Sequence, residues 1–165
     1  MERCRVQFSE LVVIVESSSD VAEALRSLLA EAGFSAAITS HDKLANPQRL
    51  SSLLAAHEAG VFLWDVPPPL DDHARLLQHV QRVAPGWGFV AMTTNRNAVE
   101  KRLLWKPPEL LEKPFSVADA IGALHRASPQ ALDIPTEKLP WRVYARRLHR
   151  RANELACVVP VGKLC

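Results

Sequence analysis

The sequence is short of the residues that cradle phosphates and staple small folds. It has six glycines and three cysteines in 165 residues. Cys4, Cys157 and Cys165 form no C-x-x-C pair, which argues against a zinc site or a disulfide framework and for a reducing compartment. No G-x-G-x-x-G follows the first apolar run, and no G-x-x-x-x-G-K followed by Ser or Thr occurs anywhere, so a nucleotide-binding enzyme is disfavoured. No apolar run approaches the ~20 residues of a membrane-spanning helix. Met1–Arg5 is basic, but the run Leu11–Val15 behind it is too short for the core of a signal peptide. The chain is therefore read as cytoplasmic, with no membrane span. Internal repeats, low-complexity tracts and a helix-turn-helix pattern are also lacking.

What is present is a globular composition: 48% hydrophobic and 23% charged residues. The length fits one domain with a proper core and an appendage. The net charge of +2 is uneven: residues 1–127 carry 13 basic and 15 acidic side chains, residues 128–165 carry 7 and 3. A near-neutral body precedes a basic tail.

Leu11–Val15 is apolar and mostly β-branched, a buried parallel strand by type. Ser19 or Asp20 is expected to cap a helix carrying Val21, Ala24, Leu25, Leu28, Leu29 and Ala32, closed by Gly33. Phe34–Thr39 reads as a weaker strand. Asn46-Pro47 should cap and start a helix that buries Leu50, Leu53, Leu54 and His57 and ends at Gly60. Val61–Asp65 is a third strand, an apolar run stopped by an aspartate and then by Pro67-Pro68-Pro69. Asp71-Asp72 lead a helix with Leu76, Leu77, Val80 and Val83, ending near Pro85-Gly86, and suit its dipole. Phe89–Thr93 is a fourth strand, followed by a short helix over 98–105. Glu109–Glu112 is a fifth strand, and Ser116 caps a last helix with Val117, Ile121 and Leu124.

Five strands alternating with five helices predict an α/β, doubly wound (βα)5 flavodoxin-like sandwich of three layers around a central parallel five-stranded sheet. The carboxyl ends of its strands then share one edge, where ligands bind in such sheets. That edge collects Glu16 and Ser17, Asp65, Thr93 and Lys113-Pro114. An aspartate there can act as a nucleophile towards a phosphoryl group. A lysine, a hydroxyl and a divalent ion can offset the charge. The bland alternative is a plain ion pair between Lys113 and Asp65 that holds two strand ends together.

From about residue 10 to 127 the sequence resembles the receiver domain of bacterial two-component response regulators. Asp65 matches the phosphoacceptor, Pro69 the proline four residues on, Thr93 the hydroxyl ending strand four, and Lys113-Pro114-Phe115 the last motif. The resemblance implies a cis Lys113-Pro114 bond. It also implies Mg²⁺ held at Glu16, Asp65 and the Pro67 carbonyl. Three departures stand out. Ser17 replaces the second acid, and a neutral hydroxyl is a poor ligand for a hard dication. Leu110 replaces the Tyr or Phe that swings inward on activation in the family. His73 stands where a loop glycine is common.

The expected function is an atypical, pseudo-receiver-like signalling module. It would not be an enzyme, and would act through a protein partner (a sensor kinase, output domain or other regulator) with impaired Mg²⁺-dependent phosphorylation. A homodimer is a further expectation. One alternative is a functional phosphoacceptor labelled on Asp65. The other is the N-terminal regulatory fragment of a nucleic-acid-binding regulator. Its motivation lies beyond a linker-like stretch, 128–140, with Pro129, Pro135 and Pro140. In 141–165, Trp141, Tyr144, Leu148, Ala152 and Leu155 recur at helical spacing, with Arg142, Arg146, Arg147, Arg150 and Arg151 mostly opposite. Such a basic helix suits a fold-packing role, phosphate contacts or a membrane surface.

Overall fold

The structure, a computed structural model, describes residues 11–57, 59–103 and 108–129. The expected linker beyond Pro129 and the basic amphipathic helix lie outside the described residues.

The chain runs β1 (Leu11–Val15), α1 (Ser19–Glu31), β2 (Ser35–Thr39), α2 (His41–Ala45), α3 (Pro47–Ala56), β3 (Gly60–Asp65), α4 (Leu70–Val83), β4 (Gly88–Thr93), α5 (Arg96–Arg102), β5 (Glu109–Glu112) and α6 (Val117–Ala127). All five strands are parallel, in the order β2-β1-β3-β4-β5. β3 is the central strand, flanked by β1 and β4, and all three are buried along their whole length. Alternate residues of each strand feed opposite cores. Val13, Val15, Phe62, Trp64 and Ala91 meet Leu44, Leu50, Leu77, Val80 and Val99 on one face. Val12, Ile14, Leu63, Val90 and Met92 meet Ala22, Leu29, Ala123 and Leu124 on the other. This period-2 division makes a sheet with helices on both sides, and it fixes register, because a one-residue slip would exchange the faces.

Local chemistry sets the helix ends. Asn46 caps α3, its Oδ1 accepting from the Gln48 and Arg49 amides at 3.0 and 3.2 Å. Ser116 and Asp119 form a reciprocal capping box on α6. Gly33 follows α1 with φ +93°, a conformation that a side chain disfavours.

Four sequence expectations are corrected. One helix more than expected is present among the described residues, because the five-residue α2 lies between β2 and α3. The N-cap of α1 is Ser18 rather than Ser19 or Asp20. His57 is exposed and off the buried face, since its extended backbone (φ −141°, ψ 132°) ends α3 at Ala56. Val83 keeps the helical spacing of Val80 but is 46% exposed, one residue before the chain leaves α4. Among the described residues no helix is long and apolar enough to cross a membrane.

Candidate functional site

β1 ends beside β2 and β3, with Val15 paired to both Thr39 and Trp64. The next residues, Glu16 and Asp65, therefore emerge side by side at the carboxyl edge. β4 and β5 extend that edge: the Val66 amide donates to Met92 C=O at 2.9 Å, and the Lys113 amide donates to Thr93 C=O at 2.7 Å. The Lys113-Pro114 bond is cis, as the resemblance implied; Pro68-Pro69 is cis too.

Lys113 Nζ donates to Asp65 Oδ1 at 2.8 Å and stands 3.8 Å from Glu16 Oε2. All three side chains are largely withdrawn from water, with exposures of 13%, 8% and 5% for Lys113, Asp65 and Glu16. Glu16 Oε1 accepts from the Ser18 amide at 2.9 Å. Its Oε2 has no hydrogen-bond partner among the described residues, so the Lys113 charge is what faces it. Thr93 is buried at the end of β4, and its Oγ1 accepts from the Asn95 amide at 3.0 Å. Asn95 in turn caps α5 through the Ala98 amide. Pro67 is half-buried in the link from β3 to α4, and Leu110 packs against the core on the α3–α4 side.

Sequence reasoning missed His41. This buried residue opens α2. Its Nε2 lies 2.7 Å from the backbone oxygen of Asp65, and its Nδ1 lies 3.3 Å from Ser17 Oγ. His73, in the first turn of α4 rather than a loop, sets its ring at 70° to the His41 ring with centroids 4.5 Å apart. Burial holds the His73 imidazole below the usual histidine range, helped by His41, while Asp65, Asp72 and Asp42 pull more weakly the other way. The available signal was topological. β2 neighbours β1, so the polar residues after Thr39 had to arrive next to Ser17.

The donor set does not fit the Mg²⁺ implied by the resemblance. Two carboxylates, Glu16 and Asp65, share one ammonium counter-charge. The donor on the β1–α1 loop is a neutral hydroxyl, and it is engaged by His41. Magnesium favours a rigid octahedral shell of hard oxygen ligands. Chemically the edge is a buried Asp–Lys–Glu cluster next to a hydroxyl, closed on the β2 side by two imidazoles.

No family model and no curated protein matches the sequence. Solved structures match its fold. A receiver domain (CheY-like) from Methylobacillus flagellatus is 24% identical, with a TM-score of 0.54, over 72% of this chain and 98% of that one. A response regulator from Thermotoga maritima is 14% identical, with a TM-score of 0.58, over 72% and 96%. The CheY-like protein TadZ from Pseudomonas aeruginosa is 17% identical, with a TM-score of 0.59, over 72% and 99%. The described residues thus have the flavodoxin-like fold of the CheY-like response-regulator receiver domains.

Proposed function

We propose that this chain is a receiver-like signalling module that regulates by docking to a protein partner, with Mg²⁺-dependent phosphorylation of Asp65 impaired. It is a binding module rather than an enzyme. The observation that carries the reading is the Ser17 hydroxyl. It stands in the place of an acid and is engaged by His41 at 3.3 Å. With that carboxylate gone, Lys113 alone serves both Asp65 and Glu16. A dication entering the pocket would find one charged ligand fewer than the family pattern supplies and would compete with a resident ammonium. The partner classes that fit a receiver fold are a sensor kinase, an output domain or another regulator.

Two measurements test the reading. Incubation with acetyl phosphate and Mg²⁺, followed by intact mass, should leave the chain without a phosphoryl adduct under conditions that label an ordinary receiver domain. Partner binding should survive Asp65→Asn. Loss of binding in that variant with the fold retained would overturn the docking model.

A second reading has its own support. Asp65 and Lys113 are in contact, with Thr93 at the end of the adjoining strand. That is the acceptor, cation and hydroxyl of a working phosphoacceptor. An adduct mapped to Asp65 would establish it.

A further inference from the structure

The geometry points to His41 as a positioning residue that ties the β1–α1 loop to the carboxyl end of β3, the two segments a divalent ion would otherwise join. This deepens the reading of an impaired metal site and rests on it. The ligands that the resemblance implied lie on those two segments. His41 reaches both with one ring, Ser17 Oγ on the first and the Asp65 backbone oxygen on the second.

Hydrogen-bond chemistry fixes the direction of each contact. A carbonyl oxygen only accepts, so His41 Nε2 carries the hydrogen at the 2.7 Å contact with Asp65. In the neutral ring Nδ1 is then a lone pair, and the Ser17 hydroxyl donates to it across 3.3 Å. The serine and the histidine are thus matched. A hydroxyl can turn its hydrogen inward, so both nitrogens of the neutral ring are satisfied without a charge on either partner.

The ring is also held from its sides. The His73 ring meets it at 4.5 Å and the Trp64 indole at 5.7 Å, both edge to face. The backbone delivers it there. The Glu16 amide donates to Thr39 C=O, which sets the end of β2 against the β1–α1 loop, and buried Leu44 anchors the short α2. Four segments therefore meet on one imidazole: the β1–α1 loop, α2, the end of β3 and α4.

The test reads the tautomer and the local opening of the full chain without added metal. A long-range ¹H–¹⁵N spectrum at neutral pH should show His41 as the Nε2–H tautomer. In Ser17→Ala, an exposed site where folding is not at risk, His41 should keep that tautomer through the Asp65 carbonyl but lose its hold on the β1–α1 loop. Hydrogen exchange at the Ser18 and Val66 amides should quicken about tenfold, as expected when a local tie is removed. His41→Gln, whose amide can donate to the same carbonyl, should restore protection at Val66 relative to His41→Ala. An Nδ1–H tautomer in the wild type, or exchange unchanged in Ser17→Ala, would overturn the proposal. Acetyl phosphate labelling of the wild type separates the two ideas. An adduct together with the Nε2–H signature would sink the impaired-phosphorylation reading and leave the tie standing. No adduct with the wrong tautomer would do the reverse.

Discussion

The Lys113 ammonium reaches back from the end of β5 to the Asp65 carboxylate at the end of β3, 2.8 Å away and 48 residues earlier in the chain. One cation thereby neutralises much of a buried acidic pair, since Glu16 faces it as well. The two partners are not equivalent. Removing the cation strands two carboxylates; removing one carboxylate leaves the cation the other.

Lys113→Met should therefore cost about 3 kcal/mol, the scale for breaking a buried pair from one side. Asp65→Asn keeps an acceptor near Nζ and should cost about 1 kcal/mol. Urea unfolding at neutral pH measures both, with an unchanged slope showing that the same surface is exposed. Equal losses in the two variants would mean that Glu16 does not feel the Lys113 charge.

Ser17→Asp should restore metal binding. It returns an anionic ligand to the β1–α1 loop beside Glu16 and Asp65. Calorimetry should find Mg²⁺ affinity at least about tenfold above wild type, equivalent to ~1.4 kcal/mol. Adding Asp65→Asn should remove the gain. An unchanged affinity in Ser17→Asp would place the obstacle elsewhere, in the resident ammonium or the stiff Pro67–Pro69 segment.

Gly88→Ala tests the far end of the sheet. A Cβ on Gly88 would overlap the Ala127 carbonyl at the end of α6, and that backbone atom cannot swing aside. The cost should be about 2–3 kcal/mol, on the scale of overpacking. At Gly86, where a Cβ would meet nothing within 4 Å, the same change should be nearly silent. Thermal unfolding of the two variants side by side gives the comparison.

The central strands and the Asp65–Lys113 edge were legible because both follow from strong, redundant signals. Apolar runs ended by Asp65, Thr93 and Glu112 fixed the strand ends to within a residue, and a parallel sheet forces those ends onto one edge. α2 was not legible, since five residues hold little more than one turn and show no period. With α2 went His41, whose role depends on β2 lying next to β1, a neighbour relation that strand order sets and local sequence does not. His57 was misplaced for a related reason. Helical spacing continues through it, but the backbone turns extended there. Ser17 was identified as a departure from a pattern; its engagement by His41 needed three dimensions.

His73 should make stability fall in acid. Its imidazole is held below the usual histidine range first by burial and then by the adjacent His41, against the weaker pull of Asp65, Asp72 and Asp42. In the unfolded chain the same group titrates near ~6.5. As pH drops through that value the unfolded state takes up a proton that the folded state still refuses, so unfolding gains. The loss sets in near the unfolded pKa and levels off once pH passes below the lowered folded one. At pH 7.5 the contribution is absent because both states are neutral. Urea unfolding of wild type and His73→Gln at pH 7.5 and 5.5 isolates it. The wild type should lose more stability between the two pH values than the variant, the excess being the share of His73. Equal losses would show that the ring meets its proton as easily folded as unfolded, and that its packing against His41 opens at no cost.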